Sequence, residues 1–173
     1  MIETSPFQAP VTAETLAGIG LFGALDTGVL SQLAASLETV TLNPGVFVFR
    51  EGEPSSHVYV VLQGELEVLK RSREGVDARV SVLGNGDWFG EMSILDLQPR
   101  SASIRTLASC RLLVFSRSDL DVLYRSDAKS YSLLVLNMAR ELCRRLRVAD
   151  GVLADLIVPP ATWPRRLKRG VAI

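Results

Sequence analysis

A glycine-punctuated segment near the middle of the chain holds the residues best suited to chemistry. Gly84, Gly86 and Gly90 precede an acidic residue, Glu91, and a short run with helical character, and Arg100 follows that run. The first turn of a helix presents unpaired backbone N–H groups and a partial positive charge, which attract phosphate. A guanidinium adds a planar, permanently charged set of donors for phosphate oxygens. The pattern therefore predicts an anion site around the start of this helix.

The carboxylate of Glu91 needs a different partner, because an acid repels phosphate. A carboxylate only accepts hydrogen bonds, so it suits a sugar hydroxyl that lies beside the phosphate. Gly90 has no side chain and lets a ligand approach the backbone closely. One acid, one arginine and one helix N-terminus together indicate a ribose phosphate. A dinucleotide-binding loop is disfavoured, because the glycine spacing is one residue too long and the neighbouring segments are β-rich.

Two short motifs frame this segment, and they are Phe89-Gly90-Glu91 and Pro99-Arg100-Ser101-Ala102. At this spacing they resemble the phosphate-binding cassette of the cyclic nucleotide-binding domains, so residues 89–102 are called the cassette below. Supporting matches follow the family's order at Leu21-Phe22, Pro44-Gly45, Phe49-Arg50-Glu51-Gly52 and Gly64-Glu65. The resemblance covers residues 12–150. It leaves a flexible leader at 1–11 and a helical extension with a basic tail at 151–173.

The resemblance implies that the chain binds cAMP or cGMP and needs no further cofactor. By this resemblance Glu91 binds the ribose 2′-hydroxyl, while Arg100 and the amides of Ser101 and Ala102 hold the cyclic phosphate. The implied ligand contacts are Gly90, Glu91, Met92, Ser93, Arg100, Ser101, Ala102, Val82, Leu83 and Arg140. Ser101 does not decide between cAMP and cGMP, and a cyclic dinucleotide stays open as a third ligand.

Some of these contacts lie outside the cassette. Val80, Val82 and Leu83 are candidates for an apolar wall beside the base. Arg140 is a candidate for a lid contact over the base, although it equally fits a solvated arginine face of a helix. The alternative for the whole chain is a degenerate domain of the same fold that contacts proteins and binds no nucleotide. Such domains usually lack the acid or the arginine, and this chain has both.

Hydrophobic periodicity predicts the elements that must position the cassette. Short runs rich in β-branched and aromatic residues predict strands at 46–49, 57–62, 65–70, 78–83, 101–106 and 110–115. Helical spacing predicts helices at 26–38, 91–97, 118–125 and 127–150, with Gly151 at the end of the last one. The predicted fold class is α+β: an antiparallel β-roll (double-stranded β-helix or jelly roll) with a short phosphate-binding helix inside it and flanking N- and C-terminal helices.

Composition argues against several functional classes. The chain has one histidine, His57, which leaves little basis for a His-based metal site or a Ser-His relay, so we expect no enzyme. Lys plus Arg and Asp plus Glu both number 19, so the net charge is zero and gives no general attraction to nucleic acid or an anionic membrane. We expect a cytoplasmic protein for three reasons. The two cysteines are far apart in the sequence, no secretion signal is visible, and no apolar run approaches the roughly 20 residues of a membrane helix.

The expected output is contact with a protein partner or with a second copy of the chain. The predicted 127–150 helix carries an apolar stripe, which comprises Leu136, Ala139, Cys143 and Leu146 and needs a packing surface. In the resembled family this helix closes over the occupied pocket. We therefore expect a stand-alone sensor that signals through movement of this lid helix. No second recognition helix is visible after residue 150, so the sequence does not support DNA binding.

Overall fold

A computed structural model describes residues 9–156 of the chain. The strands are β1 (Glu38–Leu42), β2 (Phe47–Phe49), β3 (His57–Gln63), β4 (Leu66–Arg71), β5 (Asp77–Leu83), β6 (Trp88–Phe89), β7 (Ser103–Thr106) and β8 (Cys110–Ser116). The helices are α1 (Ala13–Ala17), a 3-10 turn (Gly20–Phe22), α2 (Thr27–Ser36), α3 (Met92–Leu95), α4 (Arg117–Ser126) and α5 (Ala128–Leu156). Most of the predicted leader and of the predicted basic tail lies outside the described residues.

Two four-stranded antiparallel sheets form the β-roll. The first sheet has the strand order β1-β8-β3-β6 and the second has the order β2-β7-β4-β5. Side chains from both sheets meet in one core cluster, which comprises Phe49, Val61, Leu66, Leu83, Phe89, Ile104, Cys110 and Leu112. The predicted α+β fold with an antiparallel β-roll is confirmed. Pairing of β2 with β7 brings residues that are distant in sequence next to the cassette.

A second core cluster joins the helices to the outer face of the first sheet. On β3, Val58 and Val60 enter this cluster, whereas the alternate residue Val61 enters the core inside the roll. The strand is therefore buried on both faces, and its sequence is a nearly continuous apolar run. The members contributed by the helices and their connections are Leu16, Ile19, Leu21, Phe22, Leu25, Leu30, Leu33, Leu37, Leu120, Leu123, Leu134 and Met138.

Capping side chains fix the starts of the two C-terminal helices. The N–H of Asp119 donates to Ser116 Oγ at 3.1 Å, and the Ser116 N–H donates to the Asp119 carboxylate at 2.7 Å. This reciprocal cap starts α4 at Arg117, slightly before the predicted position. Asp127 accepts from the Ser130 hydroxyl at 2.6 Å and from its N–H at 3.1 Å. These bonds lower the pKa of Asp127, and the hydroxyl bond is the largest cause.

Helix α5 continues without a break through Gly151, the expected C-cap, and runs to Leu156, so the described part of the expected helical extension after residue 150 belongs to the same helix. The chain divides into two units, of which the first ends at Met138 and the second begins at Ala139. In the first unit, α5 buries Ser130, Leu134 and Met138. The exposed large apolar side chains of α5 in the second unit are Leu146, Val148, Val152, Leu153 and Leu156. Among residues 9–156, no helix combines the length and the hydropathy that a membrane span requires.

Candidate functional site

The cassette joins β6 to β7 and contains the single turn of α3. The amides of Ile94 and Leu95 both donate to the Glu91 carbonyl at 3.0 Å, so the helical turn begins at Glu91. Ser93 is buried within this turn, whereas Met92 is exposed. The predicted 91–97 helix is therefore shorter in the structure, and the chain leaves it through a left-handed residue, Leu97, with a φ of +60°.

A turn between β2 and β3 fixes the far end of the cassette. The Gly52 N–H donates to the Arg100 carbonyl, and the Arg100 N–H donates to the Glu53 carbonyl, both at 2.9 Å. The Glu51 N–H donates to Ser103 Oγ at 2.9 Å. The two motifs that the sequence analysis singled out at 49–52 and 99–102 thus bind each other through their backbones.

Arg100 places a buried cation in the cassette, because only 4% of its surface is exposed. Its Nη1 donates to the Gly90 carbonyl at 3.0 Å, and its Nε is buried with no hydrogen-bond partner among residues 9–156. Burial lowers the pKa of the guanidinium, and the nearby Tyr59 and Glu91 act in the opposite direction. Arginine nevertheless keeps its charge in proteins. The cassette therefore contains a buried cation with a donor that an anion can use.

Glu91 places a buried acid next to this cation, with 2% of its surface exposed. Its negative charge favours the charged form of Arg100 and so acts against the lowering of the Arg100 pKa by burial. Mutual attraction reduces the cost of burying either charge. Gly90, Glu91 and Arg100 are thus brought together, as the sequence analysis predicted from their spacing. Of the other predicted contacts in the cassette, Ser101 is exposed and Ala102 is partly buried.

Gly90 occupies a position where the structure leaves no room for a side chain. Its φ is +86°, which lies in the left-handed region. A Cβ atom here would collide with the Arg100 guanidinium and would lie 3.0 Å from the carbonyl oxygen of His57. Gly90 therefore permits both the turn of the backbone and the close approach of Arg100. The only histidine of the chain contributes to this site through its backbone.

Lys70 is a functional candidate that the sequence analysis missed. Its Nζ donates to the Ser101 carbonyl and to the Glu51 carboxylate, both at 2.6 Å. The pKa of Glu51 is lowered by a backbone hydrogen bond from Arg71 and, next in size, by the bond from Lys70. Lys70 of β4 thus links the Ser101 carbonyl at the end of the cassette to Glu51 in the turn between β2 and β3. The signal available in the sequence was the lysine itself, because it occupies a position of β4 at which the alternation predicts an apolar side chain that faces the core.

The predicted contacts outside the cassette lie on different surfaces. Val82 lies opposite Glu67 of β4, and Leu83 lies opposite Leu66, so the two neighbours face opposite sides of the sheet. Leu83 joins the core inside the roll, whereas Val82 is exposed on the other face. Arg140 is exposed on α5 and belongs to the second unit. As ligand contacts, all three residues stay predictions.

Replacing Gly90 with alanine is expected to destabilise the protein more than replacing Gly86. Both glycines have a φ of +86°, but a Cβ atom at Gly86 meets open space. Gly86→Ala therefore reports the left-handed strain alone, about 1–2 kcal/mol. Gly90→Ala adds the displacement of Arg100, which we expect to cost about 1–3 kcal/mol more. Urea unfolding measures both, and equal unfolding free energies would show that Arg100 moves aside without cost.

Comparisons with known proteins found a family model, sequence relatives and solved structures that are similar to this chain. The "Cyclic nucleotide-binding domain" family matches residues 39–127, which include the whole cassette. A "CRP-like cAMP-activated global transcriptional regulator" of Mycobacterium tuberculosis is 33% identical over 144 residues, which are 83% of this chain and 62% of that protein. The structure of the Thermus thermophilus catabolite activator protein has a TM-score of 0.70 at 31% identity, and the match covers 79% of this chain and 62% of that one. A cyclic nucleotide-binding domain from Methylobacillus flagellatus supports the fold alone, with a TM-score of 0.76 at 23% identity and coverage of 90% and 86%.

These relatives overturn one expectation and confirm another. The expectation that DNA binding is not supported is wrong, because the Mycobacterium tuberculosis relative is a transcriptional regulator. That expectation considered only the residues of this chain, which spans 62% of the length of that relative. The resemblance to the cyclic nucleotide-binding domains is confirmed by the family match. The chain belongs to the cyclic nucleotide-binding domain family.

Proposed function

We propose that this chain is a regulatory sensor whose cassette binds a cyclic nucleotide, cAMP or cGMP. The observation that carries the proposal is the buried guanidinium of Arg100, whose Nε has no hydrogen-bond partner among the described residues. A buried donor without an acceptor is costly, and a phosphate oxygen would supply the missing acceptor through a charge-assisted bond. A cyclic phosphate carries a single negative charge and presents the acceptor oxygens that this buried donor lacks.

Glu91 supports a ribose next to that phosphate. Its buried carboxylate only accepts hydrogen bonds, so it favours a ligand that presents a hydroxyl beside the anion. The 2′-hydroxyl of a cyclic ribonucleotide meets this requirement, whereas inorganic phosphate does not. Ser101 and Ala102 would then offer their amides to the phosphate, and Lys70 would hold the Ser101 carbonyl away from it.

A degenerate domain that contacts proteins without a nucleotide is the alternative within the same fold. A buried pair of charges is often no more stabilising than apolar residues of the same volume. A fold kept only for protein contacts would therefore gain little from burying both Arg100 and Glu91. The presence of both charges favours the ligand-binding proposal.

The purified chain is expected to bind cAMP or cGMP, and Arg100→Ala is expected to abolish most of that binding. Ligand at about 100 times its dissociation constant adds about 2.7 kcal/mol of stability. For a chain of this size the melting temperature should rise by about 5–10 °C. Arg100→Ala removes the charged partner of a desolvated phosphate, which costs about 2–5 kcal/mol of binding. Differential scanning fluorimetry with both nucleotides measures the shifts.

Arg125→Ala is the matched control, because the Arg125 side chain is 81% exposed and lies 4.0 Å from Asp121. This variant should keep the full ligand-dependent shift. A 2′-deoxy nucleotide should bind the wild type more weakly, and Glu91→Ala should remove that difference. The protein must first be shown to carry no co-purified ligand. If neither added nucleotide then shifts its melting temperature, the degenerate domain is favoured.

The lid helix is the second part of the proposal, and it concerns how binding becomes a signal. Leu136, Ala139, Cys143 and Leu146 are exposed on α5 at alternating spacings of three and four residues, which is the spacing of a helix-pairing seam. We propose that this stripe contacts a partner protein or a second copy of the chain. A ligand shifts the helix only if it binds one of the two helix positions more tightly than the other.

Hydrogen exchange is expected to report this movement. Bound nucleotide should slow amide exchange both in the cassette and in residues 127–150, because the lid closes over an occupied pocket. The measurement is exchange mass spectrometry on the full chain, with Arg100→Ala as the variant that should show neither change. If amide exchange slowed only in the cassette, the lid mechanism would be rejected and the chain would be a nucleotide binder whose α5 does not respond.

Transcriptional regulation is a second candidate for the output, and the Mycobacterium tuberculosis regulator favours it. Cells that carry Arg100→Ala in this protein are expected to lose the transcript changes that follow a rise in cyclic nucleotide. Cells that carry Arg125→Ala should keep them. Transcript profiling of the two strains makes the comparison, and matching profiles would exclude ligand-dependent transcriptional control by this protein.

A further inference from the structure

The Arg100 guanidinium contacts an aromatic surface as well as hydrogen-bond acceptors. Its central carbon lies over the Phe49 ring, 3.8 Å from the centroid, and 5.7 Å from the centroid of Tyr59. A cation over a ring face is attracted by the negative face of the π-system, and most strongly where water is excluded. Phe49 is 9% exposed, so this contact lies in a largely dry environment.

The Phe49 ring is itself held in place by two other rings. Its centroid lies 5.8 Å from that of Phe89 and 6.0 Å from that of Tyr59. Tyr59 and Phe89 stack on each other at 5.3 Å with an angle of 15° between their planes. The three rings come from β2, β3 and β6 and therefore tie both sheets to the point where the cassette begins. Phe49 has little freedom to move away from Arg100.

Contact through a ring face has a particular consequence for an arginine. Attraction to the ring uses no N–H donor, so the donors stay available for hydrogen bonds. Nη1 donates to the Gly90 carbonyl, while Nε lies buried with no partner among residues 9–156. The ring thus stabilises the charge and orients the side chain without competing with an anion for its donors. A carboxylate in the same place would occupy those donors.

We propose that Phe49 is a positioning residue for ligand binding, because its ring holds Arg100 in the orientation that receives the phosphate. The inference rests on the proposed cyclic-nucleotide site. Phe49 does not touch the ligand in this role and acts through Arg100. An ordinary core residue at this position would tolerate any apolar side chain of suitable size, whereas a positioning ring requires an aromatic face.

The test compares Phe49→Leu with Phe49→Tyr by calorimetric titration of cAMP and cGMP. Phe49→Leu should weaken binding about tenfold, because it removes the ring beneath a desolvated cation. Phe49→Tyr keeps the ring and should bind as the wild type does. Phe115→Leu is the matched control: it makes the same change at a buried ring in the other core cluster and should leave affinity unchanged. Equal affinities for Phe49→Leu and wild type would overturn the proposal.

Two further measurements separate positioning from a general loss of packing. In proton NMR of the ligand-free protein, ring-current shifts should move the Arg100 side-chain protons upfield in wild type and Phe49→Tyr but not in Phe49→Leu. In an Arg100→Lys background, Phe49→Leu should cause no further loss of affinity, because a lysine does not reproduce the stacked guanidinium. A further tenfold loss in that background would overturn the role through Arg100. Absence of nucleotide binding by the wild type would instead reject the proposed function, together with the inference that rests on it.

Discussion

A guanidinium that leaves water must recover several kcal/mol of lost hydration from its new surroundings. Around Arg100 the groups that contribute include Tyr59, the charge of Glu91, the Gly90 carbonyl and the ring of Phe49. Some of these contributions depend on local sequence and some on long-range strand pairing. The carbonyl is accessible because Gly90 lacks a side chain, and the ring is in place because β2 pairs with β7. The double-sheet architecture is therefore the means by which a charge can be held inside the cassette.

Glu67 on β4 is a second buried charge, and two arginine side chains of the protein satisfy its hydrogen-bonding capacity. It is 1% exposed, and its two oxygens accept from Arg79 Nε at 2.6 Å and Arg105 Nε at 2.7 Å. Burial tends to raise the pKa of Glu67, but the bonds from Arg105 and Arg79 outweigh it, so the pKa is lowered. Stability from this cluster is therefore complete above the unfolded pKa and is lost as pH falls through the lower folded pKa. Both oxygens of Glu67 accept hydrogen bonds, whereas Arg100 Nε has no hydrogen-bond partner among residues 9–156.

The sequence predicted the parts of the site that lie close together along the chain. The glycine, acid and arginine of the cassette were recognisable because their spacing is fixed by one helical turn and one loop. Lys70 was missed because its contact with Ser101 depends on strand pairing, which a single sequence does not specify. The faces of Val82 and Leu83 depend in the same way on register, and the register shifts between Val68 and Leu69 of β4. The expectation about DNA binding was wrong for a different reason: it considered only the residues of this chain, which spans 62% of the length of the Mycobacterium tuberculosis regulator.

The two parts of helix α5 differ in how much of their apolar surface is buried. Within the first unit, Leu134 and Met138 are buried and Asn137 donates to the carbonyls of Leu21 and Gly23 at 3.0 Å each. Within the second unit, the large apolar side chains from Leu146 onward are exposed, and the described ion pairs of Glu141 are made within the helix itself. Segments with few buried contacts open at low free-energy cost, and regulatory movements use such segments. A cassette that must hold a charge in one orientation needs the opposite property, which the three rings and the backbone bonds of the 50–53 turn provide. Under the proposed function both properties would be needed, because a fixed site would supply the affinity and a segment with few buried contacts would supply a second state.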